Sequence, residues 1–198
     1  MRSVCVFCGS SPGSGSDYVK AARSLGMLLA ENNITLVYGG AKVGTMGQLA
    51  FSCLEAGGRV IGVTPQNLVR SEIACTDCNE LIVVDTMHER KNRMIELSDG
   101  FIALPGGMGT IEEFFEVVTW AQLGLHKKPC GLLNIDHYFD RLLDFLDHAV
   151  EEKFVNELNR EMVLVSDDAG DLLAKFSRYH APNGDKTEWV RKMSNGLI

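Results

Sequence analysis

The 198-residue chain has no apolar run approaching the roughly 20 residues of a membrane span, and its first residues do not follow a signal-peptide pattern. It also lacks any excess of positive charge. Lys and Arg number 19 against 26 Asp and Glu, a net charge of −7, which removes the general electrostatic case for nucleic-acid binding. No internal repeat and no low-complexity segment occurs. These absences lead us to expect a cytoplasmic protein with neither membrane nor nucleic-acid partners. The hydrophobic fraction of 45% and charged fraction of 23% suit a globular chain long enough for a substantial core. A single domain is expected over residues 1–180. Residues 181–198, with Asn183-Gly184 and scattered charges, read as a peripheral tail.

Several chemistries lack a residue they require. The loop from Gly39 to Gly47 has no Gly-Lys-Ser/Thr ending, so it is not the phosphate loop of an NTPase. After Gly107 and Gly109 comes Glu112 where a dinucleotide fingerprint needs glycine. Gly9-Ser10-Ser11-Pro12-Gly13 fits G-x-S-x-G, but Pro12 has no N–H to complete an oxyanion hole. His126, His137 and His148 are evenly spaced without any i, i+4 pair. Cys5 and Cys8 fall on an expected strand, where residues three apart point to opposite faces and cannot share a metal. Cys75 and Cys78 could bind metal or form a disulfide, although reduced thiols are expected in a cytosolic chain. No metal site and no cofactor are expected.

What the chain does have is the stretch Leu104-Pro105-Gly106-Gly107-Met108-Gly109-Thr110-Ile111-Glu112-Glu113. It joins an expected strand (residues 100–104) to an expected helix (residues 114–123). Three glycines let backbone come close to a ligand. The turn then presents a helix N-terminus, where unpaired N–H groups and the dipole favour an anion, and Thr110 adds a hydroxyl near the N-cap. This is the chemistry of a phosphate cradle. Glu112 reads as an ordinary first-turn acid that complements the dipole. Glu113 shares a stripe with Val117 and Trp120, the apolar side, and a carboxylate turned inward there is costly unless it is used.

Strands are expected over residues 3–7, 34–38, 59–63, 81–85, 100–104, 130–134 and 162–165. Helices are expected over 18–31, 48–56, 87–97, 139–151 and 168–176 as well as 114–123. This alternation predicts a Rossmann-like, three-layer α/β fold, with a parallel sheet of about seven strands and helices on both faces. Ligands in such folds collect beyond the carboxyl ends of the strands. Three glycine-rich loops, after strands one, two and five, converge there.

The segment from Met87 to Met94 holds the other informative charges. Thr86 and Glu89 make a capping box for its helix. Met87, Arg90, Met94 and Leu97 share one stripe, which sets the Arg90 guanidinium on the apolar side, while Arg93 lies off it. Arg90 is either a snorkelling or salt-bridged arginine, or a partner of Glu113 or of a substrate anion. Lys91 beside it adds charge for a phosphate.

Pro105-Gly106-Gly107-Met108-Gly109-Thr110-Ile111-Glu112-Glu113 resembles the P-G-G-x-G-T-x-x-E signature of the LONELY GUY family, cytokinin riboside 5′-monophosphate phosphoribohydrolases often mislabelled as lysine decarboxylases. Arg90-Lys91 is similar to the family's Arg-Lys pair. Tyr38-Gly39-Gly40 through Gly44-Thr45-Met46-Gly47 resembles its second glycine loop, and Cys8-Gly9-Ser10-Ser11 its first. Thr119-Trp120-Ala121-Gln122-Leu123-Gly124 is also family-like, so the likeness runs from about residue 4 to about 165. Ala41 stands where a third glycine is common and Thr45 where leucine is common, which affects the shape of the second loop.

The resemblance implies hydrolysis of the N-glycosidic bond of a nucleoside 5′-monophosphate, releasing an adenine-type base and ribose 5-phosphate. It places the catalytic pair on Arg90 and Glu113. Substrate contacts would fall on Gly9, Ser10, Gly40, Glu72, Arg90 and Lys91, on Gly106, Gly107, Met108, Gly109, Thr110, Ile111, Glu112 and Glu113, and on Thr119. It also implies a homodimer, and the apolar residues around most of the helix from Phe114 to Leu123 fit that independently. Two other readings stand beside it: a general nucleosidase acting on AMP or related purine monophosphates, and a non-catalytic nucleotide-binding module. A pyridoxal-phosphate lysine decarboxylase finds little support, since one small domain offers no Schiff-base lysine setting.

Overall fold

A computed structural model describes residues 1–70, 74–75 and 77–182. The expected tail therefore lies almost wholly outside the described residues. Seven strands form one sheet: β1 (Ser3–Phe7), β2 (Thr35–Tyr38), β3 (Val60–Pro65), β4 (Glu80–Val84), β5 (Phe101–Ala103), β6 (Cys130–Leu133) and β7 (Val163–Ser166). All pair in parallel, in the order β4-β3-β2-β1-β5-β6-β7. The eight α-helices among the described residues are α1 (Ser16–Glu31), α2 (Gly44–Glu55), α3 (Gln66–Arg70), α4 (Met87–Glu96), α5 (Met108–Gln122), α6 (Asp140–Glu151), α7 (Glu157–Arg160) and α8 (Ala169–Arg178).

The layering follows from the apolar faces. Ala22, Leu25 and Leu29 of α1, Leu49, Ala50 and Cys53 of α2, and Leu172 and Phe176 of α8 pack on one side of the sheet. Met94 and Ile95 of α4, Phe114, Val117 and Val118 of α5, and Leu146 of α6 pack on the other. Burying one Leu or Phe side chain fully is worth roughly 1.5–3 kcal/mol, so both layers hold the sheet between them. β1 serves both cores by alternation, Val4 and Val6 to the first and Cys5 and Phe7 to the second. Cys8 joins the first core, so Cys5 and Cys8 are separated by the sheet as the strand period requires.

Helix starts depart from expectation. α2 begins at Gly44 rather than 48, and α5 at Met108 rather than 114. Glycine-rich turns read as loop by propensity, yet here they form the first helical turns, held by the buried side chains of Thr45 and Thr110. The N-cap of α5 is Gly107, so Thr110 sits three residues inside the helix rather than capping it. The short α3 and α7 were not expected. α7 starts where the Asn156 side chain accepts from the Leu158 N–H at 2.8 Å, a local cap too brief to give a periodic signal.

The chain changes face at the centre of the sheet. β1 is followed by α1 on one side, and its neighbour β5 by α5 on the other. Their loops diverge and open a crevice over the strand ends.

Candidate active site

The crevice is a cleft of about 610 Å³ whose floor is the end of β1 (Val6, Phe7) and Cys8. One wall is the start of α5 with Gly107, Met108, Gly109 and Thr110; Gly9 and Ser10 face it from the first glycine loop. The opposite wall is apolar: Ala41, Val43 and Met46 of the second loop and α2, Leu68 of α3, and Met87 and Met94 of α4. Arg90 and Glu113 close the deep end.

Arg90 is aimed by its helix. The capping box expected from Thr86 and Glu89 is present, with the Glu89 N–H donating to Thr86 Oγ1 at 3.1 Å and the Thr86 N–H to Glu89 Oε2 at 3.2 Å. One turn on, the Arg90 side chain lies inward, 9% exposed. Its Nε donates to the Val63 carbonyl at 3.1 Å, and its Nη1 donates to Glu113 Oε1 at 2.6 Å and to Met87 Sδ at 3.4 Å. A Cβ on Gly39 would come within 2.0 Å of Arg90 Nη2, so glycine there makes room for the guanidinium.

Glu113 is equally enclosed, its side chain 11% exposed. Burial pushes its carboxyl pKa up; the Arg90 charge and hydrogen bond pull it back without cancelling the rise. A carboxylate in that position unpaired would be strongly unfavourable, and the guanidinium is what keeps a charge there tolerable.

At the cradle, no side chain caps α5, whose first internal bond runs from the Ile111 N–H to the Gly107 carbonyl at 3.2 Å. The N–H groups of Met108, Gly109 and Thr110 precede it and have no helical acceptor. A Cβ at Gly107 or Gly109 would meet nothing within 4 Å, and neither residue has a positive φ. The fold itself therefore has no use for glycine at these two positions. A ligand brought against the backbone there would. Thr45 steadies the facing loop, donating to the Gly9 carbonyl at 3.0 Å.

The remaining sequence-derived candidates among the described residues do not line this cleft. The Lys91 side chain, 11% exposed, is not part of the cleft lining and pairs with Glu112 and, at 3.0 Å, with Glu116 on α5. Burial disfavours its charge, but the two carboxylates outweigh that and hold its pKa above the usual lysine range. Ile111 packs against the second core, and Thr119 is exposed farther along α5. Gly40 takes a φ of 73° beside Thr64, where its carbonyl accepts from the Cys75 N–H at 2.7 Å. Gly106 lines a smaller adjoining cleft. Glu72 lies outside the described residues. Sequence reasoning missed the apolar wall. Met87 and Met94 were visible as a stripe, but Leu68 sits on a single-turn helix with no periodic signal.

Among the described residues no cluster of His, Cys, Asp or Glu could hold a metal ion. The three evenly spaced histidines go to separate partners: His126 to the Val117 carbonyl, His137 to Asp140 and His148 to Glu151. Cys78 Sγ lies 3.4 Å from the Tyr38 hydroxyl, and burial pushes both its thiol and that of Cys8 up to about 12. Neither is a nucleophile at neutral pH.

A family model described as "Possible lysine decarboxylase" matches residues 46–176. A cytokinin riboside 5′-monophosphate phosphoribohydrolase of Rhodococcoides fascians is 49% identical, covering 87% of this chain and 88% of its own. One of Arabidopsis thaliana is 48% identical, covering 90% and 83%. Among solved structures, the molybdenum cofactor binding protein of Rippkaea orientalis superimposes with a TM-score of 0.67 at 25% identity, covering 89% of this chain and 96% of its own. With a family model matched over more than half of its length and relatives near 50% identity over most of it, the chain belongs to the LONELY GUY family.

Proposed function

We propose that the protein hydrolyses the N-glycosidic bond of a cytokinin riboside 5′-monophosphate, an N6-modified AMP, to the free base and ribose 5-phosphate. The observation that carries the reading is the buried Arg90–Glu113 pair in a cleft that the uncapped, glycine-lined N-terminus of α5 also lines. The relatives named above support the substrate class.

Cleavage builds positive charge on the anomeric carbon and negative charge on the departing base. Glu113 stabilises the first and orients or deprotonates the attacking water. Arg90 positions the nucleotide and stabilises charge on the leaving base. The backbone from Gly107 to Thr110 anchors the 5′-phosphate, so binding energy remote from the bond assists its cleavage. The methionine-rich wall suits a planar base with an apolar substituent. These steps use side chains, backbone and water. The same reading makes residues 1–180 one catalytic domain of a cytoplasmic homodimer.

The test is incubation with AMP and with isopentenyladenosine monophosphate, followed by quantification of free base and ribose 5-phosphate. Much faster release from the prenylated substrate is the expected result. Comparable release from both would make the protein a general purine-nucleotide nucleosidase. Binding without any release would make it a nucleotide-binding module.

A further inference from the structure

We infer that Tyr138 is a positioning residue for the phosphate end of the cleft, acting through the carbonyl of Gly106. The inference rests on the nucleotide reading above. Beside the main cleft lies a smaller one of about 290 Å³, walled by Pro12, Tyr18, Pro105, Gly106 and Tyr138. Across it the Tyr138 hydroxyl donates to the Gly106 carbonyl at 2.6 Å.

The chain goes to some length to put the hydroxyl there. Leaving β6, it folds into a 3-10 turn (Ile135–His137) in which two successive non-glycine residues, Asp136 (φ 50°) and His137 (φ 58°), are left-handed. Such a pair is disfavoured and persists only where the surroundings impose it. Asn134 imposes it: its Oδ1 accepts from the Phe139 N–H and its Nδ2 donates to Asp140 Oδ1, both at 2.7 Å. Phe139 is buried, and the Tyr138 ring stands edge-on to both Phe139 and Tyr18, with centroids 5.0 and 5.7 Å apart.

The acceptor is equally constrained. A Cβ on Gly106 would come within 2.2 Å of Thr110 Oγ1 and 3.1 Å of the Gly9 nitrogen, so this residue is wedged between the start of α5 and the first glycine loop. The Gly106 carbonyl and the Gly107 N–H belong to one planar peptide and point opposite ways. Anchoring the oxygen on Tyr138 therefore aims that N–H away from the tyrosine, and it finds no acceptor among the described residues. Gly107 lines both clefts. The tether thus fixes a phosphate donor before ligand arrives.

The experiment is Tyr138→Phe in the full chain, which removes one oxygen and keeps the ring packing. Calorimetry with ribose 5-phosphate and steady-state kinetics on the nucleoside 5′-monophosphate are compared with wild type, with the corresponding nucleoside as a phosphate-free control. We expect the ribose 5-phosphate Kd and the nucleotide KM to rise together by about three- to tenfold. We expect kcat to stay within about twofold and nucleoside affinity to be unchanged. An unaltered ribose 5-phosphate Kd overturns the inference, as does an equal loss for nucleoside and nucleotide. So does a wild-type protein that fails to bind ribose 5-phosphate. If wild type binds ribose 5-phosphate but releases no base, the hydrolase reading falls, and the calorimetric comparison still decides the tether.

Discussion

At Glu113 two forces act in opposite directions: burial raises the carboxyl pKa, and Arg90 at 2.6 Å restrains the rise. Because the folded-state pKa stays above the ordinary glutamate value, the fold holds this proton more tightly than the unfolded chain does. The stabilisation is fully present at acid pH and is lost as pH rises through the folded-state pKa. Catalysis needs the other form. The acidic limb of kcat/KM should therefore lie above the usual glutamate range, measured as a pH profile on the nucleotide. Glu113→Gln should remove that limb and lower kcat by roughly a hundredfold or more while nucleotide still binds. Retained turnover in that variant would take the role away from Glu113. Both members of the pair were legible in the sequence, because helical periodicity put each on an apolar stripe. Lys91 has a different setting. One residue past Arg90 the helix has turned by about 100°, which brings the ammonium to Glu112 and Glu116 on α5 rather than into the cleft. Thr119, six residues past Glu113, is likewise rotated off the cleft face.

The element with the most chemistry is α5, and its first turn was the part sequence reasoning drew worst. Glycines at 107 and 109 marked a loop by propensity, so the helix was expected to start at 114, six residues late. Propensity missed it because the turn is held in place by Thr110, buried between Gly106 and the core. Helix formation there is a tertiary effect. The cost of those glycines can be measured. Gly109→Ala places a methyl in open space at an ordinary φ, so stability should rise by about 0.5–1 kcal/mol, or roughly 1–4 °C in Tm. The same methyl should obstruct the approach of a phosphate and raise the nucleotide KM. A variant both more stable and undiminished in KM would show that the N-terminus of α5 is not the phosphate cradle.

For the molecule as a whole, alternation of apolar runs with amphipathic segments was enough to give a parallel, two-sided sheet. Strand order was not legible, since strands such as β3 and β6 are buried along their whole length and carry no label for their neighbours. Association is the property tested at this scale. Phe114, Val117 and Val118 are consumed by the core, but Met108 is 91% and Leu125 66% exposed at the two ends of the α5 segment, apolar surface that a second copy would cover. Light scattering should give twice the single-chain mass of 21.7 kDa, and a monomer at micromolar concentration would refute the homodimer. The seam between β1 and β5 has one further consequence, in time rather than space. Cys5 of the first strand pairs with Phe101, so β1 waits for a neighbour made nearly 100 residues later. At ribosomal rates that interval is roughly 5–20 s. Until then the edge of β1 at what will be the centre of the sheet has no partner strand, and its buried residues are apolar. The cleft comes into being only when that edge closes, because α5, which carries Glu113, follows β5 in the chain.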